Sequence, residues 1–493
     1  MTSEEATAHA EHRDERAGFE PLLHDLLRLQ ASGAEFSERA TEAPAPPLPE
    51  ADRQALAARE PGMADRILGR VAAAAASAEH GTAMPDARLG ESRGAAVFNP
   101  ESDTPVRTQT MAVADRGATI SELATAYRQS LDHRRIGPYR LGRRLGRGGQ
   151  GEVYLTRIKG ADGFRVRVAL KAFSPDAYAS PAAYDGAMRR IAPVISRIAQ
   201  TNHDHLVDVH RFEMYRGIRI MLMDLVDGLD LRRLLRREHI EELKHRISQY
   251  LWRELCNVVF TLVPGSDIAM LKPGVAVTIA RQCLEGLTSL HKKRIVHCDV
   301  KPSNIMIRTT GTAKIIDFGS ASKTQDTPQP RAFTLAYAAP ETIERLECTP
   351  RSDLASLGYV LVEMLSGCRL FPGLMKPEEL LIAKRALPER LHEVLPPHVR
   401  CCKGLVDLCR RLVAANPGQR FESAEQADLD LGCGASSFLF SLVRGDLAYV
   451  FEQPVARWVE ETQKLLTSFS PAESAEDESQ LTTSSALDRS LGR

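Results

Sequence analysis

Downstream of residue 138 the apolar positions fall into short alternating runs. Residues 139–145, 151–158 and 165–173 are rich in β-branched and apolar side chains and are parted by glycine-bearing turns. That pattern predicts an antiparallel meander. Residues 180–200 carry a helical period instead, with Ser180 placed as N-cap and Pro181 at the first helical position. Strand-like runs return at 206–212 and 219–226, and beyond Asp230 the period is helical through 275–291 and on to about residue 431. A small strand-rich part followed by a larger helical part predicts an α+β chain of two lobes with a cleft between them.

The flanks read differently. Residues 1–136 are rich in Ala, Glu, Arg and Pro and contain the breaker run Ala43-Pro44-Ala45-Pro46-Pro47-Leu48-Pro49. Apolar patches at 19–29, 63–76 and 120–131 have small faces, so this region is expected to be largely disordered and to fold, if at all, on a regulatory partner. Residues 239–271 look inserted between two helices of the larger part, to cap it or to bind a partner. Residues 432–493 hold one amphipathic helix, at 455–469, followed by a Ser/Glu/Asp-rich tail expected to be unstructured.

Composition narrows the class. Lysine plus arginine number 64 and aspartate plus glutamate 64, so net charge points to neither nucleic acid nor an anionic membrane. The cysteines begin at Cys256 and include no CxxC, which suits reduced thiols. The acidic start Met1-Thr2-Ser3-Glu4-Glu5 is no signal peptide. No apolar run approaches the roughly 18 to 20 residues a membrane helix needs. A cytoplasmic, membrane-free protein is expected.

The candidate chemistry is concentrated in four places. Leu145-Gly146-Arg147-Gly148-Gly149-Gln150-Gly151-Glu152-Val153 is a GxGxxGxV run between strand-like segments. Glycines let a backbone fold close over phosphate oxygens with no Cβ in the way. The strand–loop–strand setting disfavours a dinucleotide fingerprint, which opens a helix; alone, the run is as readily an ordinary turn. Val168-Ala169-Leu170-Lys171 ends an apolar run on a lysine, either an edge residue reaching solvent or a cation for phosphates. His297-Cys298-Asp299-Val300-Lys301-Pro302-Ser303-Asn304 and Asp317-Phe318-Gly319 add a candidate base, a second cation and oxygen ligands. Phosphoryl transfer needs such parts: a group to orient the acceptor hydroxyl, cations for the triphosphate, and oxygen ligands for magnesium.

Together these residues resemble the signature set of the protein kinase superfamily. The likeness extends to Ala339-Pro340-Glu341, to Asp353 with Ser356-Leu357-Gly358, and to Arg420, over roughly residues 139–431. It implies the two-lobed protein kinase fold, a small antiparallel-sheet N-lobe on a helical C-lobe, with the kinase domain at 137–431. It also implies transfer of the γ-phosphate of ATP, with Mg2+, to protein substrates. Lys301 is similar to the serine/threonine branch, and Thr334 and Tyr337 match the segment that seats a protein hydroxyl. By the same likeness Asp299 would orient the hydroxyl proton, Lys301 neutralise the γ-phosphate, and Asn304 and Asp317 hold magnesium. Lys171 would meet the α- and β-phosphates beneath Gly146, Gly148 and Gly151, with Leu145, Val153 and Ala169 lining the nucleotide site. Backbone groups of Asp224 and Val226 would pair with adenine beside the gatekeeper Met223, and Asp230 would reach the ribose. Glu341 and Arg420 would form a buried, structural ion pair.

Two positions depart from the pattern. Cys298 stands where the family usually has arginine before the aspartate, so activity is not expected to depend on a phosphate on the activation loop. The family also pairs the strand lysine with a helix glutamate, and here Val194 occupies that position. Pro193 should kink or break the helix. Asp185 partners Lys171, another acid substitutes, or the pair is missing, and a missing pair would favour a nucleotide-binding pseudokinase acting as scaffold or switch. Thr104, Thr108, Thr110, Thr324 and Thr327 stand on segments expected to be flexible and are candidate autophosphorylation sites.

Overall fold

The computed structural model describes residues 119–324, 333–345, 347–374, 376–442 and 448–468. The disorder expected of residues 1–118 and of the tail beyond 468 lies outside the described residues, as do Thr104, Thr108, Thr110 and Thr327.

Helix α1 (Ile120–Asp132) comes first. The Thr119 hydroxyl accepts from the Glu122 amide at 3.3 Å while the Glu122 carboxylate accepts from the Thr119 amide at 2.7 Å, a reciprocal cap that satisfies two end-of-helix donors. A sheet of five strands follows: β1 (Arg144–Gly148), β2 (Gly151–Lys159), β3 (Arg165–Phe173), β4 (Val209–Tyr215) and β5 (Ile218–Asp224). They are antiparallel throughout, in the order β1-β2-β3-β5-β4. Strand alternation sorts side chains between two faces. Val168, Leu170 and Ala172 of β3 pack with Ile220 and Leu222 of β5 and with Tyr127 of α1 on the outer face. Ala169, Phe173, Met221 and Met223 face the core shared with helix α2 (Pro181–Ala199).

Residues 120–131, expected to share the disorder of the flank, are thus a docked helix. Ala124 and Tyr127 are its buried residues, too narrow a stripe to fold alone. The outer sheet face completes it, with Tyr127 Oη donating to the Ala172 carbonyl at 3.4 Å and Arg128 pairing with Asp176 at 2.8 Å. The small lobe therefore reaches back to Thr119. Helix α2 has the expected start, with Ser180 Oγ accepting from the Ala183 amide at 3.1 Å. The break expected at Pro193 is absent. Tyr184, Met188, Ile191, Val194, Ile195 and Ile198 form one buried stripe through it, and burial at about 1.5–3 kcal/mol per large side chain outweighs one lost backbone bond.

The large lobe is built around α5 (Pro273–Lys292), whose inner face is almost wholly buried. Before it stand strand β6 (Gly228–Asp230), helices α3 (Arg237–Lys244) and α4 (Gln249–Val258), and the hairpin of β7 (Phe260–Leu262) with β8 (Ala269–Leu271). After it, β9 (Ile305–Arg308) and β10 (Ala313–Ile315) join β6 in the order β10-β9-β6. Helices α6 (Pro350–Ser366), α7 (Pro377–Val394) and α8 (Ala448–Ser468) complete the elements used below. Glu341 and Arg420 form the expected buried pair, bidentate at 2.7 and 2.9 Å.

The sequence pattern placed a helix at 455–469; α8 begins earlier and is seated on the inserted segment. Trp458 is fully buried with its ring 5.3 Å from that of Phe260. Phe451 lies where a Cβ on Gly274 would approach its ring to 2.2 Å, so α5 needs glycine there. Arg457 pairs with Glu254 at 2.8 Å, and Gln463 donates to Asp227 at 2.9 Å. Among the described residues no helix is long and apolar enough to cross a membrane.

Candidate active site

The floor of the cleft is organised by Asp353 in the first turn of α6. Its carboxylate accepts from the amides of His297 (2.8 Å) and Cys298 (2.9 Å) and contacts His291 Nε2 at 2.9 Å. These bonds hold Cys298 at φ +65°, an uncommon conformation for a residue with a side chain. Asp299 follows with partners on several sides. Oδ2 accepts from Lys301 Nζ at 2.6 Å and Asn304 Nδ2 at 3.1 Å, and Oδ1 accepts from the Thr334 amide at 3.2 Å. Lys301 Nζ also donates to Thr334 Oγ1 at 2.7 Å, and Asn304 Nδ2 to the Asp299 carbonyl at 2.8 Å. The structure brings together the sequence-predicted Asp299, Lys301, Asn304 and Thr334.

The segment carrying Thr334 is braced from beneath. Tyr337 Oη donates to Glu363 at 2.8 Å, and Lys384 Nζ of α7 donates to the Ala336 carbonyl at 2.7 Å. Lys384 is fully buried, 3.9 Å from the Tyr359 ring centroid and 4.3 Å from that of Phe371. Burial pulls its amine down to about 7, although Glu363 acts in the opposite direction. Motif reading missed this lysine. The available signal was its helical spacing with the buried Leu380, Leu387 and Leu391.

The β9–β10 hairpin brings the other oxygen ligands together. Its register sets Ile305 opposite Ile315, and the Asn304 carbonyl accepts from the Ile316 amide at 2.9 Å, one residue before Asp317. Asp317 sits at φ +66° and its Oδ1 accepts from the Gly319 amide at 3.0 Å. Burial pushes the Asp317 carboxyl upward, but the Lys171 ammonium and these hydrogen bonds prevail and hold it below the usual carboxylate value. Phe318 packs edge-on to His297, 5.6 Å between centroids. With Nδ2 of Asn304 turned to Asp299, its Oδ1 and the Asp317 carboxylate are the hard oxygen donors that suit magnesium.

On the small lobe, Gly151 closes the β1–β2 turn at φ +140°, where a Cβ would meet the Ala172 carbonyl at 1.9 Å. Gly146 and Gly148 have open space on their Cβ side, as a phosphate-covering backbone needs. Val153 pairs across the sheet with Lys171, and Ala169 with Met223. Leu145, Val153 and Val226 are half-buried against the core. The Asp224 amide is engaged by the Asp208 carbonyl at 2.9 Å. Asp230 caps the short helix Leu231–Leu234, accepting from the Arg233 amide at 3.0 Å and pairing with its guanidinium at 3.2 Å. Burial raises its carboxyl pKa, against the pull of Arg233.

Lys171 resolves the question left by Val194. Asp185 is not its partner: it pairs with Arg219 at 2.8 Å, and Val194 is buried in the core. Among the described residues the carboxylate on Lys171 Nζ is Asp317, from the opposite lobe. A second acceptor, missed in the sequence, is Gln150 Oε1 at 3.1 Å.

Residues 139–428 match the protein kinase domain family. The chain is 32% identical over 293 residues to the serine/threonine-protein kinase PknD of Mycobacterium tuberculosis, covering 59% of this chain and 38% of that protein. It is 30% identical over 249 residues to PknE of M. tuberculosis (50% and 38%), and 31% identical over 236 residues to PknH of Mycobacterium bovis (47% and 33%), both serine/threonine-protein kinases. It thus spans between 33% and 38% of the length of these relatives.

Proposed function

The chain belongs to the protein kinase family, and from that membership we propose that it is a serine/threonine protein kinase, moving the γ-phosphate of MgATP to protein Ser and Thr hydroxyls. The observation that carries this is the cluster of Asp299, Lys301, Asn304 and Thr334. An acceptor hydroxyl seated beside Thr334 meets the Asp299 carboxylate, which orients it and takes its proton. Lys301 neutralises charge on the transferred phosphoryl group. Lys171, beneath the glycine turn, draws on the α- and β-phosphates, while Leu145, Val153 and Ala169 enclose the adenine. With the Asp224 amide already bonded, adenine pairs with the Asp224 carbonyl and the Val226 backbone. Asp230 borders the ribose. Magnesium held by Asn304 and Asp317 would offset phosphate charge. Positioning and charge neutralisation supply most of the acceleration in such chemistry.

Protein substrates, a regulatory partner for residues 1–136 and a cytoplasmic site of action belong to the same reading. One observation favours a pseudokinase instead: α2 gives Lys171 no acid. ADP production and phosphosite mapping with MgATP, beside Asp299→Asn, separate the two. A working kinase loses about 10²-fold or more in Asp299→Asn while still binding ATP. Wild-type turnover no greater than that of Asp299→Asn, with ATP bound, establishes the pseudokinase.

A further inference from the structure

We propose that Gln150, at the tip of the glycine turn, positions Lys171 in the role that the helix carboxylate fills elsewhere in the family. A buried ammonium is costly unless an oxygen accepts from it, and Lys171 is 2% exposed. Asp317 cannot hold it alone through catalysis, because the same carboxylate accepts from the Gly319 amide and is the proposed magnesium ligand. Helix α2 contributes no substitute, with Val194 in the core and Asp185 turned to Arg219. Gln150 does reach. Its Oε1 accepts from Lys171 Nζ at 3.1 Å, and its Nε2 donates to Ser320 Oγ at 2.8 Å. Its backbone is fixed as well, since the Gln150 carbonyl accepts from the Ser174 amide at 2.9 Å, just past the end of β3.

One side chain therefore ties the glycine turn, the lysine strand and the turn after Asp317. The path exists because residue 319 is glycine: a Cβ there would lie 1.8 Å from Gln150 Oε1 and 2.6 Å from Lys171 Nζ. An amide oxygen orients the ammonium without adding a second negative charge beside that of Asp317. Gln150 is a positioning residue, acting through Lys171.

This inference rests on the proposed nucleotide site, and its test is arranged so that the two fail separately. MgATP dissociation constants, kcat and KM for ATP are measured on the full chain for wild type, Gln150→Ala, Gln150→Glu, Ser320→Ala and Asp299→Asn, with thermal midpoints alongside. Losing a hydrogen bond to a charged group should weaken MgATP binding about tenfold or more in Gln150→Ala, with kcat falling in parallel. Gln150→Glu, which restores an oxygen acceptor, should recover most of both. Ser320→Ala should fall between, and thermal midpoints should stay together. Binding and turnover in Gln150→Ala within about twofold of wild type, or improved, would overturn the proposal; improvement would mean that the side chain obstructs the nucleotide. If wild type turns over no faster than Asp299→Asn, the kinase reading fails, and the binding series still decides on Gln150.

Discussion

The two banks of the cleft are wired unequally. On the large-lobe bank, Asp299 is held by Lys301, Asn304 and Thr334, the loop beneath by Asp353, and the substrate-side segment by Lys384 and Tyr337. All of these contacts lie within one lobe. On the small-lobe bank, Lys171 takes its acceptors from a loop tip and from a carboxylate across the cleft. The contacts of Asp299 are complete within its own lobe, whereas those of Lys171 include one made across the cleft.

The largest effect should come from breaking the large-lobe bank. Arg420→Ala leaves Glu341 buried without its cation and should cost about 3–5 kcal/mol in urea unfolding; a loss under about 1 kcal/mol would mean that the pair does not brace this lobe. Next is pH. Unfolded, Lys384 keeps its proton to about 10.5, and folded, burial brings that to about 7. Between these values the unfolded chain binds a proton that the folded one does not, so stability should rise above pH 7 and the gain vanish as pH falls back through 7. Relative to Lys384→Met, wild type should gain up to about 2 kcal/mol in urea unfolding between pH 7 and 9; parallel pH curves would contradict this. Thr334→Val should slow turnover by about tenfold through loss of the Lys301 contact, with ATP affinity unchanged. Smallest is Asp185→Ala. Its surface pair with Arg219 should be worth no more than about 1 kcal/mol, with ATP turnover within a factor of about two. A large loss there would restore Asp185 as a functional acid and erase the contrast between the banks.

The same contrast governs what the sequence discloses. Asp299, Lys301 and Asn304 share one short loop and Asp317 follows across a hairpin, so their spacing nearly fixes their geometry. The partner of Lys171 is a cross-lobe contact, and no local pattern could choose between Asp185 and Asp317. Gln150 was hidden because a loop-tip amide has no signature, and Lys384 because a helical lysine reads as surface. Helix α1 was misjudged for a related reason: its stripe is complete only with the outer sheet face beneath it. At Pro193 the local rule was sound, but three buried side chains on each side kept the helix unbroken. Cys298, read from the sequence only as a departure from the family pattern, is buried, and burial with the neighbouring Cys348 thiol drives its pKa well above that of an ordinary cysteine. That makes it a poor nucleophile.

The seat of α8 on Phe260, Gly274 and Glu254 means that the unit of heredity and the unit of folding end at different places. The family pattern stops at residue 428, but the apolar surface that must be hidden from water continues to Leu465. A fragment trimmed to the shared pattern would keep every residue of the active site and lose the lid over its back, leaving a greasy trough where Trp458 had been. Hidden apolar surface, more than the residues of the cleft, decides where this chain can be cut.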